Sequence, residues 1–462
     1  MSIRLDWEIE AERESLRGGT EDPETRRRRR RAQFGLLLLI LLVTVVIGGL
    51  VGVVVLRLRY VDWQIEQQLR DTVEAEIAAL RIGDQSAFLR MQRSDDPDWL
   101  RLQAAEFQAY QALKLEPNTF FPGEIVSVAF DGQTARVQIR EIIEGAAYER
   151  VWFYWNYQID TESDGDGEVD GWRHLPPHYP FWGEVQTLEG SAVTISYHDL
   201  DAPVAVMARD QIDRWVGTAQ EIFGVVLPPI TVEIVPDPGL IAGWVGDTWT
   251  LRIPSPLTTR MRVDSPFDPA VQLIAADAVG DRMVNTLTHN LSMTYPADAY
   301  YLRRAVVSWL TGRLTGRQTN AFLFTSLAQN YGDQAVAAFM LAIQPDSSVR
   351  LFADTLGLSS IDQAALDWRD YLTWRLALEG ELISRGDENA FLSLYDVNDP
   401  MIRQLAATRY LARDGSDGWV VTALTQETDL AGVPTLRAAV VKNGEESAIL
   451  FRLSDGVWKR AS

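Results

Sequence analysis

The segment Gly83-Asp-Gln-Ser-Ala-Phe-Leu89 returns later in the chain as Gly386-Asp-Glu-Asn-Ala-Phe-Leu392, 303 residues further on. The same offset relates other pairs: Asp96 and Asp399, Glu76 and Glu379, Leu102 and Leu405, and Phe107 and Tyr410. The match therefore extends over two successive helices, and similarity at a fixed offset indicates a duplicated structural unit. We expect two related modules, one on each side of a different central segment.

Each copy has the same order of predicted elements, with helices first and alternating strands afterwards. The alternating segments are residues 125–130 and 135–139 in the first copy and residues 420–424 and 436–441 in the second. Both copies close with a turn and an aromatic strand, which contains Trp172 in the first and Trp458 in the second. This order predicts helices packed on an antiparallel sheet. Together with the Gly-Asp-x-x-Ala-Phe-Leu signature, it resembles the ketosteroid-isomerase-like (SnoaL-like) α+β cone, which implies a small enzyme or a non-catalytic pocket or dimerisation module.

Residues 34–56, which begin with Phe34 and end with Leu56, contain no charged side chain. As a helix, this run reaches about 34 Å, which is enough to span a bilayer. Six arginines at 26–31 precede the run and only Arg57 and Arg59 follow it closely, so the positive-inside rule predicts a cytoplasmic N-terminus. A cleaved signal peptide would have a shorter apolar region and a small-residue cleavage site, and none follows Leu56. We expect a single-pass anchor in the cell membrane, with the bulk of the chain extracytoplasmic.

The composition narrows the possible functions. The chain has 462 residues, a net charge of -21 and no cysteine. Because a surface this acidic repels phosphate backbones, nucleic acid is not an expected partner. Without cysteine there is no disulfide, thiolate nucleophile or Cys-ligated zinc.

The segment between the two copies, residues 202–376, has a pattern of its own. Residues 206–223 are predicted to form a helix that ends at Gly224, and residues 230–235 a strand. Residues 270–291 follow with apolar positions three and four apart, which is typical of an amphipathic helix. Several helices continue to residue 376.

Short stretches of this central segment resemble the peptidase MA-type gluzincin metallopeptidases. They are Phe223-Gly224 with Pro228, Ser255-Pro256-Leu257, Thr288-His289, Trp309, Tyr331-Gly332 and Leu356-Gly357-Leu358. The resemblance implies a zinc site of the HExxH type. In such a site two histidines one turn apart bind the metal, the Glu between them is the general base, and a downstream Glu is the third ligand.

The corresponding residues here lack most of that chemistry. The motif positions are His289, Asn290 and Met293, so an amide replaces the general base and a thioether replaces the second ligand. Asn cannot take a proton from water, and a thioether is a soft ligand poorly suited to hydrolytic zinc. No glutamate occurs between Glu233 and Glu379. We therefore expect no catalytic residue, zinc ion or other cofactor, and interpret His289 as a helix residue hydrogen-bonded within a packed domain.

Aspartates are the remaining substitutes for the missing ligands, but nothing in their spacing places them on the His289 face. They are Asp277, Asp281 and Asp298.

A candidate calcium loop lies in the first module. Its acidic residues are Glu162, Asp164, Asp166, Glu168 and Asp170. Hard cations take several carboxylate oxygens from one tight turn, which this spacing partly offers. Arg173 stands at the twelfth position, where a bidentate Glu is needed, and predicted strands flank the loop instead of helices. Calcium binding stays open, and a solvated hairpin tip is the favoured interpretation.

The other candidates have simpler explanations. His174 and His178 are four residues apart, but Pro176 and Pro177 forbid the helix that would make them a metal pair. His198 is isolated at the end of a predicted strand, residues 192–197. The aromatic run at 152–157, with Phe181 and Trp182, is more typical of core and sheet surface than of a ligand pocket, which stays the alternative.

The sequence thus predicts an α+β multidomain protein in which two α+β cone modules flank a mostly helical metallopeptidase-like domain. The predicted parts are a cytoplasmic tail at 1–33, a transmembrane helix at 34–56, the first module at 57–201, the peptidase-like domain at 202–376 and the second module at 377–462. We expect a non-catalytic binding or scaffold protein with a peptide or protein partner outside the membrane. The alternatives are an active zinc metallopeptidase with non-standard ligands and a calcium- or small-molecule-binding ectodomain.

Overall fold

The computed structural model describes residues 23–93, 96–157, 171–177 and 181–462 and shows an α+β protein. The α-helices are α1 (Pro23–Ile82), α2 (Gln85–Arg90), α3 (Pro97–Leu113), α4 (Ala202–Phe223), α5 (Pro269–Leu287), α6 (Asp298–Thr315), α7 (Phe322–Tyr331), α8 (Asp333–Ala342), α9 (Leu351–Leu356), α10 (Arg369–Arg385), α11 (Glu388–Ser393) and α12 (Pro400–Ala412). Short 3-10 helices occur at Asp199–Asp201, Pro256–Thr258 and Ile361–Ala364.

The strands form three sheets within the described part of the chain. They are β1 (Phe120–Phe130), β2 (Thr134–Ile143), β3 (Ala146–Tyr157), β4 (Gly171–Leu175), β5 (Val185–Glu189), β6 (Val193–His198), β7 (Ile230–Val235), β8 (Gly243–Trp244), β9 (Thr250–Pro254), β10 (Met261–Arg262), β11 (Val420–Thr428), β12 (Pro434–Lys442), β13 (Glu445–Ser454) and β14 (Val457–Arg460). The first sheet has the order β1-β2-β3-β10, with β4 also paired to β3. The second has the order β5-β6-β7-β9-β8 and the third β11-β12-β13-β14.

Backbone contacts divide the chain into two compact units. The first consists of Met1–Ala104, Val128–Ala135 and Tyr154–His174. The second consists of Ala105–Ser127, Arg136–Phe153 and Leu175–Ser462.

Helix α1 contains the predicted membrane segment and is long and apolar enough to cross a membrane. The residues of the apolar run are exposed in the structure. The helix continues beyond Leu56 without a break to Ile82, and its last turns bury Leu69, Val73 and Leu80. One helix therefore supplies both the apolar segment and a core helix of the first unit.

The local structure around the repeated segment is the same in both copies. Helices α1 and α10 are each followed by a glycine in the left-handed region, Gly83 with a φ of 82° and Gly386 with a φ of 72°. The next residue, Asp84 or Asp387, caps the following short helix by accepting a hydrogen bond from the backbone N–H three residues on, at 2.9 and 3.0 Å. Glycine and aspartate stand at these positions because the left-handed region favours glycine and a helix N-terminus needs an acceptor.

The closing strand also pairs at equivalent places in the two copies. His174 on β4 forms a bridge with Gln92, and Arg460 on β14 forms a bridge with Tyr395, 303 residues after Gln92. The N–H of His174 donates to a carbonyl at 2.8 Å and that of Arg460 at 2.9 Å, and the two acceptors, in Met91 and Leu394, are again 303 residues apart. The two segments thus share the order of three helices and four strands that the duplication predicts.

A carboxylate is buried at the same position in each copy. It faces the residue of the closing strand that forms the isolated bridge, which is His174 in the first copy and Arg460 in the second. Glu76 on α1 is fully buried, with one oxygen 2.8 Å from Nδ1 of His174. Glu379 on α10 is 2% exposed and accepts hydrogen bonds at 2.9 Å from Nη1 of Arg460. Burying a carboxylate is costly unless it is paired, so each copy places a partner on its last strand.

The second sheet crosses the predicted domain boundary at residues 201/202. Strand β6 pairs in parallel with β7, and β7 pairs in parallel with β9. Helix α4 connects β6 to β7 and buries Val204, Ala208, Ile212 and Trp215. It begins at Ala202, four residues before its predicted start, and ends at Gly224 as predicted, with a φ of 66°. Strands β5 and β6 therefore pair with the central segment, although the sequence analysis assigned them to the first module.

Replacing Glu379 by Gln tests the buried ion pair. The amide keeps the shape but leaves the buried guanidinium of Arg460 without a counter-charge. We expect the free energy of unfolding of the full chain to fall by about 3–5 kcal/mol, measured by denaturant titration. Glu427→Gln is the matched control, because Glu427 pairs with Arg437 on the surface of the same segment. The control should lose at most about 1 kcal/mol. Equal losses for the two variants would contradict the account of the pair.

Candidate functional site

The helix predicted at residues 270–291 ends early, and this changes the position of the histidine motif. Helix α5 stops at Leu287. His289 and Asn290 follow in the left-handed region, with φ values of 52° and 57°. The N–H of Asn290 donates to the carbonyl of Asn285 at 2.7 Å, which closes the end of the helix. The interpretation of His289 as a packed helix residue is therefore wrong, since His289 is exposed in a turn.

The motif positions do not form a metal site. In an HExxH site the two ligands project from one face of a continuous helix, one turn apart. Here His289 lies in the turn after α5 and Met293 in the irregular segment that follows, where it is partly buried. The backbone between them is not helical, so the two side chains lack that spacing.

The three aspartates considered as substitute ligands have protein partners instead. Asp281 on α5 pairs with Arg303 of α6 at 2.7 Å. Asp298 at the start of α6 accepts a hydrogen bond from the hydroxyl of Tyr371 on α10 at 3.2 Å. Asp277 accepts a longer bond from Thr311 Oγ1 at 3.4 Å. Across the described ranges, no three His, Asp or Glu side chains come together as a metal site would require.

The candidate calcium residues Glu162, Asp164, Asp166, Glu168 and Asp170 lie outside the described residues, as does His178. The other two histidines have defined surroundings. His174 is buried in the first unit, 5.3 Å from the ring of Trp99 and 5.1 Å from the ring of Tyr154. Nδ1 of His198 is 2.9 Å from the carbonyl oxygen of Gly183.

The aromatic run on β3 belongs to the core. Trp152, Phe153 and Tyr154 are each at most 2% exposed. Phe153 stacks on Trp182 with ring centroids 5.5 Å apart, and the hydroxyl of Tyr154 donates to Glu76 at 2.8 Å. For these residues the core interpretation is confirmed.

A cavity of about 440 Å³ opens between α6 and α10 in the second unit. We call it the α6/α10 cavity. The residues that give it its chemistry are the rings of Tyr295, Tyr300, Tyr301 and Trp374 and the charged groups of Arg304, Asp370 and Glu381. Its size lies in the range of small-molecule sites.

The spacing of residues on the two helices explains why these side chains share one space. On α6 the lining residues Tyr301, Ala305 and Ser308 recur at four and three residues, while Leu302 and Val306 face the core. On α10, Asp370, Trp374, Ala377, Leu378 and Glu381 follow the same helical period. Side chains three and four apart lie on one face of a helix, so each helix presents one stripe to the cavity.

The aromatic rings of the cavity pack against one another in pairs. Tyr301 stacks on Trp374 with centroids 4.9 Å apart, and Tyr295 meets Tyr300 edge to face at 5.5 Å. The guanidinium of Arg385 lies 4.7 Å from the centroid of Tyr295. A cation at that distance from a ring is attracted to its face.

The charged groups of the cavity differ in how far they are neutralised. Glu381 forms an ion pair with Arg385 on the same helix. Arg304 is exposed at the rim and makes no ion pair in the described part of the chain. Asp370 is partly buried, and no Lys or Arg of the described residues forms an ion pair with it. The cavity therefore contains one carboxylate without a cation.

The donors that face Asp370 are two backbone N–H groups and the hydroxyl of Tyr301. Leu323 N–H donates at 3.2 Å and Tyr371 N–H at 3.0 Å, so Asp370 also caps the start of α7. Burial raises the pKa of Asp370 from 3.8 to about 6. Asp201, a second buried carboxylate with a pKa raised by burial to about 6, accepts side-chain hydrogen bonds from Trp182 and Ser255.

The hydroxyl of Tyr301 is the second unusual polar group of the cavity. Its oxygen is buried and faces the carboxylate of Asp370. Burial and that carboxylate raise the pKa of Tyr301 well above its ordinary value. A hydroxyl oxygen keeps lone pairs with which it can accept a hydrogen bond from a bound ligand.

A scan against protein-family models, a search of curated proteins and a search of solved structures find no match to this chain. The function of the protein is therefore inferred from the geometry of the site. The sequence analysis missed the α6/α10 cavity altogether. The signal available in the sequence was the stripe of tyrosines and small residues on residues 300–308, but its partner stripe begins some 60 residues later.

The pKa of Asp370 gives a test by unfolding at two pH values. Because its folded-state pKa lies above its ordinary value, the folded protein binds extra protons between pH 3.8 and about 6. The cost of burying the charge is absent below this window and fully present above it. The stability of Asp370→Asn relative to wild type should therefore increase as the pH is raised from 4 to 7, by up to about 3 kcal/mol.

The measurement is denaturant unfolding of both proteins at the two pH values. The contributions of the other titrating groups cancel in the difference between variant and wild type at each pH. A difference between variant and wild type that does not change with pH would contradict the burial of this charge.

Proposed function

We propose that the protein is a membrane-anchored, extracytoplasmic binding protein whose central region holds a peptide segment in the α6/α10 cavity without cutting it. The observation that carries the proposal is the cavity itself, which combines aromatic rings with a carboxylate, Asp370, that forms no ion pair with the described residues. Convergent polar groups in a largely apolar pocket are typical of ligand sites. The anchor would be the apolar part of α1, with the N-terminus in the cytoplasm.

Binding is a better account of this cavity than catalysis. Peptide hydrolysis needs a metal-activated water or a nucleophile with its base. Ser308 lines the cavity, but no histidine does, and the residues resembling the zinc motif lie in a turn without ligand geometry. An active zinc metallopeptidase with non-standard ligands would need ligands that the described residues do not bring together.

The second flanking segment contributes to the cavity. Helix α10 belongs to the cavity wall and also carries Glu379, which the second copy pairs with its last strand. We suggest that the copies act as ketosteroid-isomerase-like cone modules that hold the central region in place. In this proposal they are structural, because the buried carboxylate of each is occupied by its own partner.

The proposed topology predicts which end of the chain is accessible from outside. The native chain has no cysteine, so Ser2→Cys and Ser462→Cys each introduce one thiol. In intact cells a membrane-impermeant maleimide should label Ser462→Cys strongly and Ser2→Cys only after permeabilisation. The reverse pattern would contradict the orientation. Loss of the Ser2→Cys label from the mature protein even after permeabilisation would indicate cleavage of the anchor.

Filling the cavity should abolish peptide binding. Ala377 on α10 lines the cavity and is exposed, so Ala377→Trp adds a ring to the space without disturbing the core. We expect the full chain in lipid nanodiscs to retain tripeptides from a mixed library, and the variant to lose at least tenfold in retention. Ala338→Trp, at an exposed position on α8, is the matched control and should bind normally. Equal retention by both variants would contradict the assignment of the site.

A further inference from the structure

The buried carboxylates of Glu141 and Glu379 each have a cationic partner, whereas Asp370 forms no ion pair with the described residues. Glu141 meets Tyr110 and Arg260, the latter at 2.9 Å, and Glu379 meets Arg460. The donors that face Asp370 are two backbone N–H groups and the hydroxyl of Tyr301, all of them neutral. A carboxylate removed from water without a cation is unfavourable, and a cation brought by a ligand would offset that cost.

The wall around Asp370 suits a cation as well. Tyr301 and Trp374, stacked on one another, line the cavity with Asp370, and Tyr295 already holds the guanidinium of Arg385 over its ring. Ring faces attract guanidinium and ammonium groups most strongly where water is excluded. The hydroxyl of Tyr301, buried beside Asp370, can accept a hydrogen bond from such a group, since cationic nitrogens only donate.

The remaining charges do not oppose this arrangement. Glu381 is negative and is paired with Arg385. Arg304 is positive, but it is exposed at the rim, where solvent and salt screen its repulsion of a cation held deeper in the cavity. At the rim it can donate to a peptide carbonyl.

Resting on the proposed function, we propose that the α6/α10 cavity recognises a basic side chain of a peptide, with the guanidinium or ammonium group bound by Asp370, the Tyr301 hydroxyl and the faces of the surrounding rings. The cavity of about 440 Å³ accommodates an arginine or lysine side chain with part of its backbone. Neutral and acidic side chains leave the carboxylate uncompensated.

The test compares two peptides that differ in charge and hardly in shape. Acetyl-Ala-Arg-Ala-amide and its citrulline analogue, in which a neutral urea replaces the guanidinium, are titrated into the full chain in nanodiscs by calorimetry at pH 7.5. We expect the arginine peptide to bind about 10- to 100-fold more tightly, the range for a hydrogen bond to a charged group. The lysine peptide should likewise bind more tightly than its acetyl-lysine analogue.

Single substitutions test which groups of the cavity cause the preference for a basic side chain. Asp370→Asn keeps an acceptor for the N–H of Leu323 but removes the charge, so the arginine and citrulline peptides should bind it with similar affinity. Tyr301→Phe should weaken the arginine peptide about three- to tenfold, because it removes the hydroxyl oxygen that accepts from the guanidinium. Asp367→Asn is the matched control, since Asp367 lies just before α10, pairs with Arg369 and does not line the cavity, so this variant should keep the full preference.

The outcomes separate this inference from the proposed function. If both peptides bind equally and Ala377→Trp abolishes both, the cavity is a peptide site and the preference for a basic side chain is wrong. If the preference persists in Asp370→Asn, the cation binds elsewhere and the inference is also wrong. If no peptide of the library binds, both the site and its specificity fail.

Discussion

Helix α10 carries two carboxylates that are removed from water, and the surrounding structure depends on the partners that each of them has. Glu379 faces the second copy, where Arg460 neutralises it at 2.9 Å and Arg409 lies 3.6 Å away. Asp370 faces the α6/α10 cavity, where its donors are two backbone N–H groups and the hydroxyl of Tyr301. The first arrangement ties the last strand of the chain to a central helix. The second leaves a charge whose electrostatic cost falls only when a proton or a ligand cation arrives. The same helix thus serves as a structural element on one face and as the wall of a site on the other.

Comparison of the two copies shows which polar groups belong to the repeated architecture. Glu76 and Glu379 occupy equivalent positions, and each is paired with the residue that bridges the closing strand. His174 stands where the second copy has Arg460, and like Arg460 it lies within hydrogen-bond distance of a buried glutamate. A polar cluster that recurs with different chemistry at the same place in two copies is explained by the need to satisfy a buried carboxylate. The α6/α10 cavity lies between α6 of the central segment and α10, the first helix of the second copy, and its Asp370 also caps the start of α7.

Local signals predicted more of the fold than of the site. The offset of 303 residues located the repeated caps because glycine and aspartate act within one helical turn, and strand β7 matches its predicted bounds. The end of α5 was missed because Thr288-His289-Asn290 contains neither glycine nor proline, and an apolar residue, Leu291, continued the helical pattern. Parallel pairing of β6 with β7 and the meeting of α6 with α10 are tertiary contacts, which no periodicity in one segment encodes. The functional groups of the cavity could therefore be seen only once both helices were in place.

The central claim is that this protein binds peptides in its central region and does not cleave them. The most direct measurement incubates the full chain in nanodiscs with a defined peptide library and added zinc, then follows bound and free peptides by mass spectrometry. The account predicts that a basic subset of intact peptides is retained and that no new fragments accumulate. Fragments that form with wild type, and disappear in His289→Ala, would contradict it and would make the region a peptidase.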